Sequence, residues 1–198
     1  MLASRMEKTE AILIGRTRFS ESSLIVHWCS PDFGLFRTIA KGALRAKSPL
    51  GAQLDLFVSV DMRFNRSKAS DLHTLTEVHW TQPRLGLRAS YGRVLAATYL
   101  VKLLTQTAEP NTPIPALYQL LAKALDYLAA HEPTVAVLER YELRLAEDLG
   151  LVGTAGARGQ EAAMAIEDAF HKRLPVQRQQ VLEWIAAHAR GSDRNEPL

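Results

Sequence analysis

The sequence has one cysteine, Cys29, in 198 residues, no apolar run approaching the length of a membrane span, and no acidic residue between Phe33 and Leu54. Each scarcity excludes something. A lone cysteine excludes an intramolecular disulfide and a cysteine-rich zinc site. The longest apolar stretch of interest, VLAATYLV at 94–101, is interrupted by Thr98, so no spanning helix is expected. The opening MLASRMEKTE lacks the apolar segment of a secretory signal. No P-loop, GxSxG, HExxH or GxGxxG stands at a usable place, which argues against an ATPase and leads us to expect a protein that is not an enzyme. What remains, 47% hydrophobic and 23% charged, has the composition of a globular chain.

The acid-free window holds Arg37, Lys41, Arg45 and Lys47. Residues 1–82 carry 11 Lys/Arg against 8 Asp/Glu, whereas residues 83–198 carry 13 of each, so the whole net charge of +3 lies in the first part. Arg63, Arg66 and Lys68 extend the basic run, and only Asp55 and Asp61 oppose it within 34–68. Two readings stand: a solvated edge that discourages strand aggregation, or a positive field for a polyanion.

The chain changes periodicity near Pro83. In QLDLFVSVDMRF at 53–64, Leu54, Leu56, Val58, Val60, Met62 and Phe64 alternate with Gln53, Asp55, Phe57, Ser59, Asp61 and Arg63, which predicts a long half-buried strand. Segments 11–19, 24–30, 35–43 and 72–80 are further strand candidates, with PDFG at 31–34 as a turn between the second and third. Five strands in about 75 residues match an OB-like barrel. Beyond Pro83, Leu117, Leu120, Leu121, Ala124, Leu125 and Leu128 follow a helical period. Helices are predicted over 84–108, 115–131, 134–149, 160–171 and 175–189, with Pro83, Pro115 and Pro133 suited to first turns and Gly150 to a stop. A glycine-rich loop is expected at 153–159 and a frayed tail at 191–198. The expected fold class is α+β, an OB-like domain at 1–82 followed by an all-α bundle at 83–198.

The order of several pieces resembles a known family. RTRFSESSLIV from Arg16, Gly34-Leu35, AKGALRAKS from Ala40, SDLHTLTE from Ser70 and YELRLAEDLG from Tyr141 resemble the bacterial recombination mediator RecO family, well over 10–82, fairly over 83–150, and unreadably beyond. The resemblance implies an OB-fold and a helical bundle, binding of single- and double-stranded DNA, annealing of complementary strands, and help in loading recombinase onto strands coated by single-strand-binding protein. It implies three partners: DNA, the RecR ring, and the acidic, apolar tail of single-strand-binding protein. Location would be cytoplasmic, at the nucleoid, with no membrane. Two departures are visible. Many relatives carry a four-cysteine zinc site after this helix end, and 151–198 holds no cysteine, so no metal or cofactor is expected. Leu44 stands where many members have a further basic residue.

With that resemblance, the candidate DNA-binding residues are Arg37, Lys41, Arg45, Lys47, Arg63, Arg66, Lys68 and Arg16, with Arg18 a plausible addition. Phe57, on the polar face of its predicted strand, is a candidate for stacking bases, or else it packs under the helical domain. Trp28 and Trp80 read as core. Gly42 either lets the backbone pass close to phosphate or marks a bulge. In the helical half, Arg140 and Arg144 share a helix face, and with Lys102 and Lys123 they are candidates for gripping an acidic tail. His73, Glu77 and His79 share a strand face, but the histidines stand about 20 Å apart along a strand, too far for one ion. The alternatives are an OB-like module that binds protein or RNA, and a small hydrolase built on Cys29 and His27.

Overall fold

The structure, a computed structural model, describes residues 5–153 and 159–192. The heart of the glycine-rich loop and most of the expected tail lie outside the described residues. Two compact units form: one reaches to Arg84 and takes in Ala108–Ala122, the other comprises Leu85–Thr107 and continues from Lys123.

The first unit is a five-stranded barrel with strands β1 (Arg5–Arg18), β2 (Leu24–Ser30), β3 (Gly34–Ala40), β4 (Ser59–Arg66) and β5 (Leu72–Gln82). The strands pair in the closed order β1-β2-β3-β5-β4, antiparallel except for β3 with β5. β1 serves two neighbours. Its first half, Arg5–Ile12, pairs with β4 and its second half with β2, and a register shift between Leu13 and Gly15 bends it between them. Leu24, Val26 and Trp28 of β2, with Val60, Met62 and Phe64 of β4, fill the interior. Trp28 meets its polar need inside, its indole N–H donating to Thr38 Oγ1 at 2.8 Å.

The long strand expected at 53–64 is shorter and shifted. Gly51–Gln53 form a turn of 3-10 helix, and the strand begins only at Ser59. The physical reason is a turn at Leu56 and Phe57, where Phe57 takes φ +67°, outside the range of a strand, so that regular pairing starts only after it. Leu56 is exposed and Phe57 buried outside the core cluster, whereas Leu54, Val58, Val60, Met62 and Phe64 line the core as the alternation predicts. Trp80, expected in the core, is 39% exposed, with its indole donating to the Gln53 carbonyl at 2.7 Å.

Ile12, Cys29 and Leu35 point outward by strand alternation and yet are buried. The segment before and into the second long helix covers them. Asn111 N donates to the Leu35 carbonyl and Ile114 N to the Pro31 carbonyl, each at 3.0 Å. Gly34 is required here: a Cβ would stand 1.9 Å from the Thr112 carbonyl oxygen, and φ is +65°. Buried Arg84 ties the same unit together, donating from Nη1 to the Phe57 carbonyl and Ser59 Oγ at 2.8 Å each.

The helices are α1 (Tyr91–Thr107), α2 (Pro115–Ala130), α3 (Val135–Asp148), α4 (Gly159–Phe170) and α5 (Gln177–Ser192). The expected helix at 84–108 starts seven residues late, after a 3-10 segment at Leu85–Ala89. Arg84 takes φ +49°, which no helix continues through, and Ser90 restarts it, its Oγ accepting from Gly92 N at 3.1 Å. Pro115 opens α2 as predicted, whereas Pro133 precedes the cap Thr134 of α3. α3 stops at Gly150 as expected: Gly150 N bonds to the Glu147 carbonyl and Leu151 N to that of Ala146. Inside this unit, Glu142 of α3 is fully buried. It accepts from Tyr99 Oη of α1 at 2.5 Å and from Arg178 Nε and Nη2 of α5 at 2.7 and 3.0 Å. The fold is therefore an OB-like barrel domain followed by a helical domain.

Candidate nucleic-acid interface

β3 emerges from its pairing with β2 at Ala40, and successive turns follow: Ala43 N to the Ala40 carbonyl, Arg45 N to that of Gly42, Ser48 N to that of Arg45. Gly42 sits at φ +71°, so it is a turn glycine rather than a bulge. Ala43 is sunk into the barrel core and Leu50 packs against it, which pins the loop at both ends. Between those anchors Lys41, Leu44, Arg45 and Lys47 are exposed. The loop is a folded display for cations.

Arg37 is exposed on the outer side of β3, four residues before Lys41, about 13 Å along a strand. Across β2 it faces His27, whose pKa is lowered by burial and by the Arg37 charge, so the positive charge at this position is the guanidinium's. On the other side Arg37 pairs in register with Leu72, the first residue of β5. Exposed Arg66 ends β4, and exposed Lys68 lies in the turn that leads into Leu72. The structure thus strings Arg66, Lys68, Arg37, Lys41, Arg45 and Lys47 along β3 and the two connections that flank it. Arg16 is exposed and donates from Nη1 to the Leu54 carbonyl at 2.6 Å, next to the far end of the basic loop. Arg18, also exposed, hydrogen-bonds the Ser20 carbonyl through Nε at 3.2 Å.

Among the described residues, no carboxylate lies within ion-pair distance of Arg37, Lys41, Arg45, Lys47 or Lys68. Arg63 differs. It lies on the outer face of β1, β4 and β5 and pairs with Glu77 at 3.6 Å, beside Lys8 with Asp61 at 3.8 Å. A depression of about 330 Å³ there is lined by Lys8, Asp61, Met62, Arg63, Glu77 and His79, a surface of alternating sign. Phe57, the proposed stacking residue, is 6% exposed and offers no ring face to a base. Phe19, an aromatic of the barrel domain that is not among the candidate residues above, is 56% exposed in the β1–β2 turn. The strand expected over 11–19 would have set Phe19 on the same face as Ala11 and Leu13, but β1 ends at Arg18 and leaves the ring in the turn.

Cys29 is buried and its thiol is pushed up to about 12 by that burial, so at neutral pH it is no nucleophile. His73 is likewise buried, stacked on Phe64 at 5.4 Å, with Nδ1 accepting from Ser67 N. In the helical unit Lys102, Lys123, Arg140 and Arg144 are all exposed. Arg144 is paired with Glu147 at 2.8 Å, and no hydrogen bond or ion pair among the described residues joins Lys102 or Lys123 to α3. A separate depression of about 270 Å³ is lined by Met164, Leu174, Pro175 and Val176 with Arg173 and Arg178 among its polar neighbours, cations that sequence reasoning did not single out.

Residues 5–84 match the family described as Recombination protein O N terminal, and residues 88–152 the one described as Recombination protein O C terminal. The DNA repair protein RecO of Dehalococcoides mccartyi is 30% identical over 143 residues, 72% of this chain and 56% of the relative. That of Listeria monocytogenes is 31% identical over 150 residues, 75% of this chain and 58% of the relative, and the Listeria innocua protein gives the same figures. The chain spans a little over half the length of these curated relatives. With both domain families matched in order across the barrel and the helices, the chain belongs to the RecO family.

Proposed function

We propose that this protein is a DNA repair and homologous recombination mediator that grips DNA along β3 and its flanking connections. The observation that carries the reading is the loop after β3. Three exposed cations, Lys41, Arg45 and Lys47, are held in a folded frame with no carboxylate to neutralise them among the described residues. Such groups gain most by displacing the counterions condensed on a phosphate backbone. In the proposed mechanism, the basic surface (Arg37, Lys41, Arg45, Lys47, Arg66, Lys68 and Arg16) screens two single strands so that complementary strands pair. No bond is made or broken by the protein. The names of the relatives, DNA repair protein RecO, support the pathway.

Recombinase loading onto strands coated by single-strand-binding protein would then need contacts with that protein's acidic, apolar tail and with RecR. The reading is supported on the tail side by exposed Arg140 and by the depression around Met164 and Val176 with Arg173 beside it. Such a mediator works in the cytoplasm, at the nucleoid.

The test is anisotropy of a labelled 30-nucleotide single strand across a salt series. Four to six phosphate contacts give a slope of log K against log salt of about −3 to −4. In Lys41→Glu/Arg45→Glu the slope is expected to be shallower by about 1.4, from the loss of two contacts. An unchanged slope in a variant that melts normally would remove the barrel surface from the proposal.

A further inference from the structure

The β1–β2 turn and the basic loop after β3 are stitched into one knuckle. Phe19 N donates to the Ser23 carbonyl at 3.0 Å and Leu44 N to the Ser22 carbonyl at 2.9 Å, and Gly42 N reaches Ser23 Oγ at 3.4 Å. Two large apolar side chains stand out from it, Phe19 at 56% exposure and Leu44 at 43%. Elsewhere the barrel hides its aromatics: Trp28, Phe36, Phe57 and Phe64 are buried. Trp80, partly exposed, is tied through its indole to Gln53.

The surroundings of Phe19 are cationic. Arg18 folds its guanidinium back over the turn onto the Ser20 carbonyl. Arg45 lies with its Cδ 3.5 Å from where a Cβ on Gly42 would be, so its chain lies over the stitched segment, next to Lys41. Glu21 is the only acid in either connecting segment as far as Leu54. Cations that follow a phosphate backbone beside an exposed ring are the combination by which proteins hold single strands: charge takes the backbone and the ring takes a base. A duplex keeps its bases stacked on one another and offers the ring no face.

We infer that Phe19, with Leu44 beside it on the stitched loop, is a stacking platform for an unpaired base of single-stranded DNA. It is the residue that separates single-strand from duplex affinity. The inference rests on the DNA-binding reading above and adds what that reading lacks, a reason for strand preference. Charge alone does not supply one.

The experiment titrates the wild-type chain, Phe19→Ala, Phe19→Trp and Lys41→Glu/Arg45→Glu against three 30-mers: a single strand, a duplex, and an abasic single strand with backbone but no bases. Phe19→Ala is expected to lose about 5- to 100-fold in affinity for the single strand, while its duplex and abasic affinities and its salt slope stay as in the wild type. Phe19→Trp, which keeps an aromatic face, restores single-strand binding, with indole fluorescence quenched by the single strand but not by the abasic one. Equal losses on all three ligands, or no loss on the single strand while the double charge reversal weakens all three, would overturn the platform and leave the phosphate track standing. If the charge reversal also changes nothing, the DNA-binding reading itself falls, and the platform with it.

Discussion

Arg178 in the helical domain and Arg45 in the barrel loop are the same residue put to opposite uses. Arg178 bonds twice to a carboxylate that is fully buried, and its pKa is raised by that hydrogen bond foremost, burial opposing. Arg45 has no carboxylate within reach among the described residues and stands in solvent. Arg63, on the outer face of β1, β4 and β5, is intermediate, sharing solvent with Glu77 at 3.6 Å. The difference teaches where charge is spent on the fold and where it is left for a partner. A buried pair is costly to break because one member is left uncompensated. A surface pair contributes about 0–1 kcal/mol, and an unpaired surface cation contributes nothing to the fold and is fully available to a polyanion.

Breaking the inward use should therefore give the largest effect. Arg178→Ala leaves Glu142 buried with Tyr99 as its remaining partner, and the cost is expected to be about 3 kcal/mol, the low end for a broken buried pair because Arg178 is a quarter exposed. Denaturant unfolding followed by circular dichroism measures it, and a loss below about 1 kcal/mol would mean the pair is no stronger than a surface one. DNA affinity of the folded variant should not change.

Breaking the outward use should do the reverse. Lys41→Glu/Arg45→Glu is expected to melt like the wild type and to lose at least about 25-fold in single-strand affinity at 0.1 M salt, about 0.7 log units per contact. The matched reversal on the other face, Lys8→Glu/Arg63→Glu, should change affinity by less than about threefold, and equal losses from both pairs would show that net charge, not placement, sets binding. Glu77→Gln sharpens the contrast from the other side. It frees Arg63, and a change of less than about threefold is again expected. A gain of about fivefold, one phosphate contact, would bring this face into the path of the strand.

Some of this contrast was legible in the chain. The segment 24–30 reads as a strand and is one, because its apolar residues have one interior to fill. The acid-free window announced the loop cations without any structure. What was hidden is what depends on a single dihedral or on distance along the chain. Phe57 alternates off the core face in sequence and stays out of the core cluster, yet at its left-handed turn it is buried, which removes it from the candidate interface. Arg63 and Arg45 look alike as letters; only the register that sets Arg63 across from Glu77 tells them apart. Ile12, Cys29 and Leu35 are buried by a segment some eighty residues away from two of them, which no local pattern records. Arg178 meets Glu142 across 36 positions and two helices, so neither residue signals the other.

The smallest expected effect concerns pH, and it follows from His27 facing Arg37 across β2 and β3. Burial first, and the Arg37 charge second, lower the His27 pKa; His73 is lowered by burial and Arg66, with Asp71 opposing. The unfolded chain, with histidines near the ordinary 6.5, then binds more protons than the folded one in the window from about 6.5 down to the lowered values. Stability is full above that window and falls as pH drops through it. A strand that neutralises Arg37 removes the second cause at His27 and lets it take up a proton. Binding should therefore tighten as pH falls from about 6.5, in the direction opposite to stability. Affinities at pH 5.5 and 7.5 for the wild type and His27→Gln test this. The wild type should gain more on acidification than the variant, and equal gains would mean that no phosphate sits close enough to Arg37 for His27 to sense it.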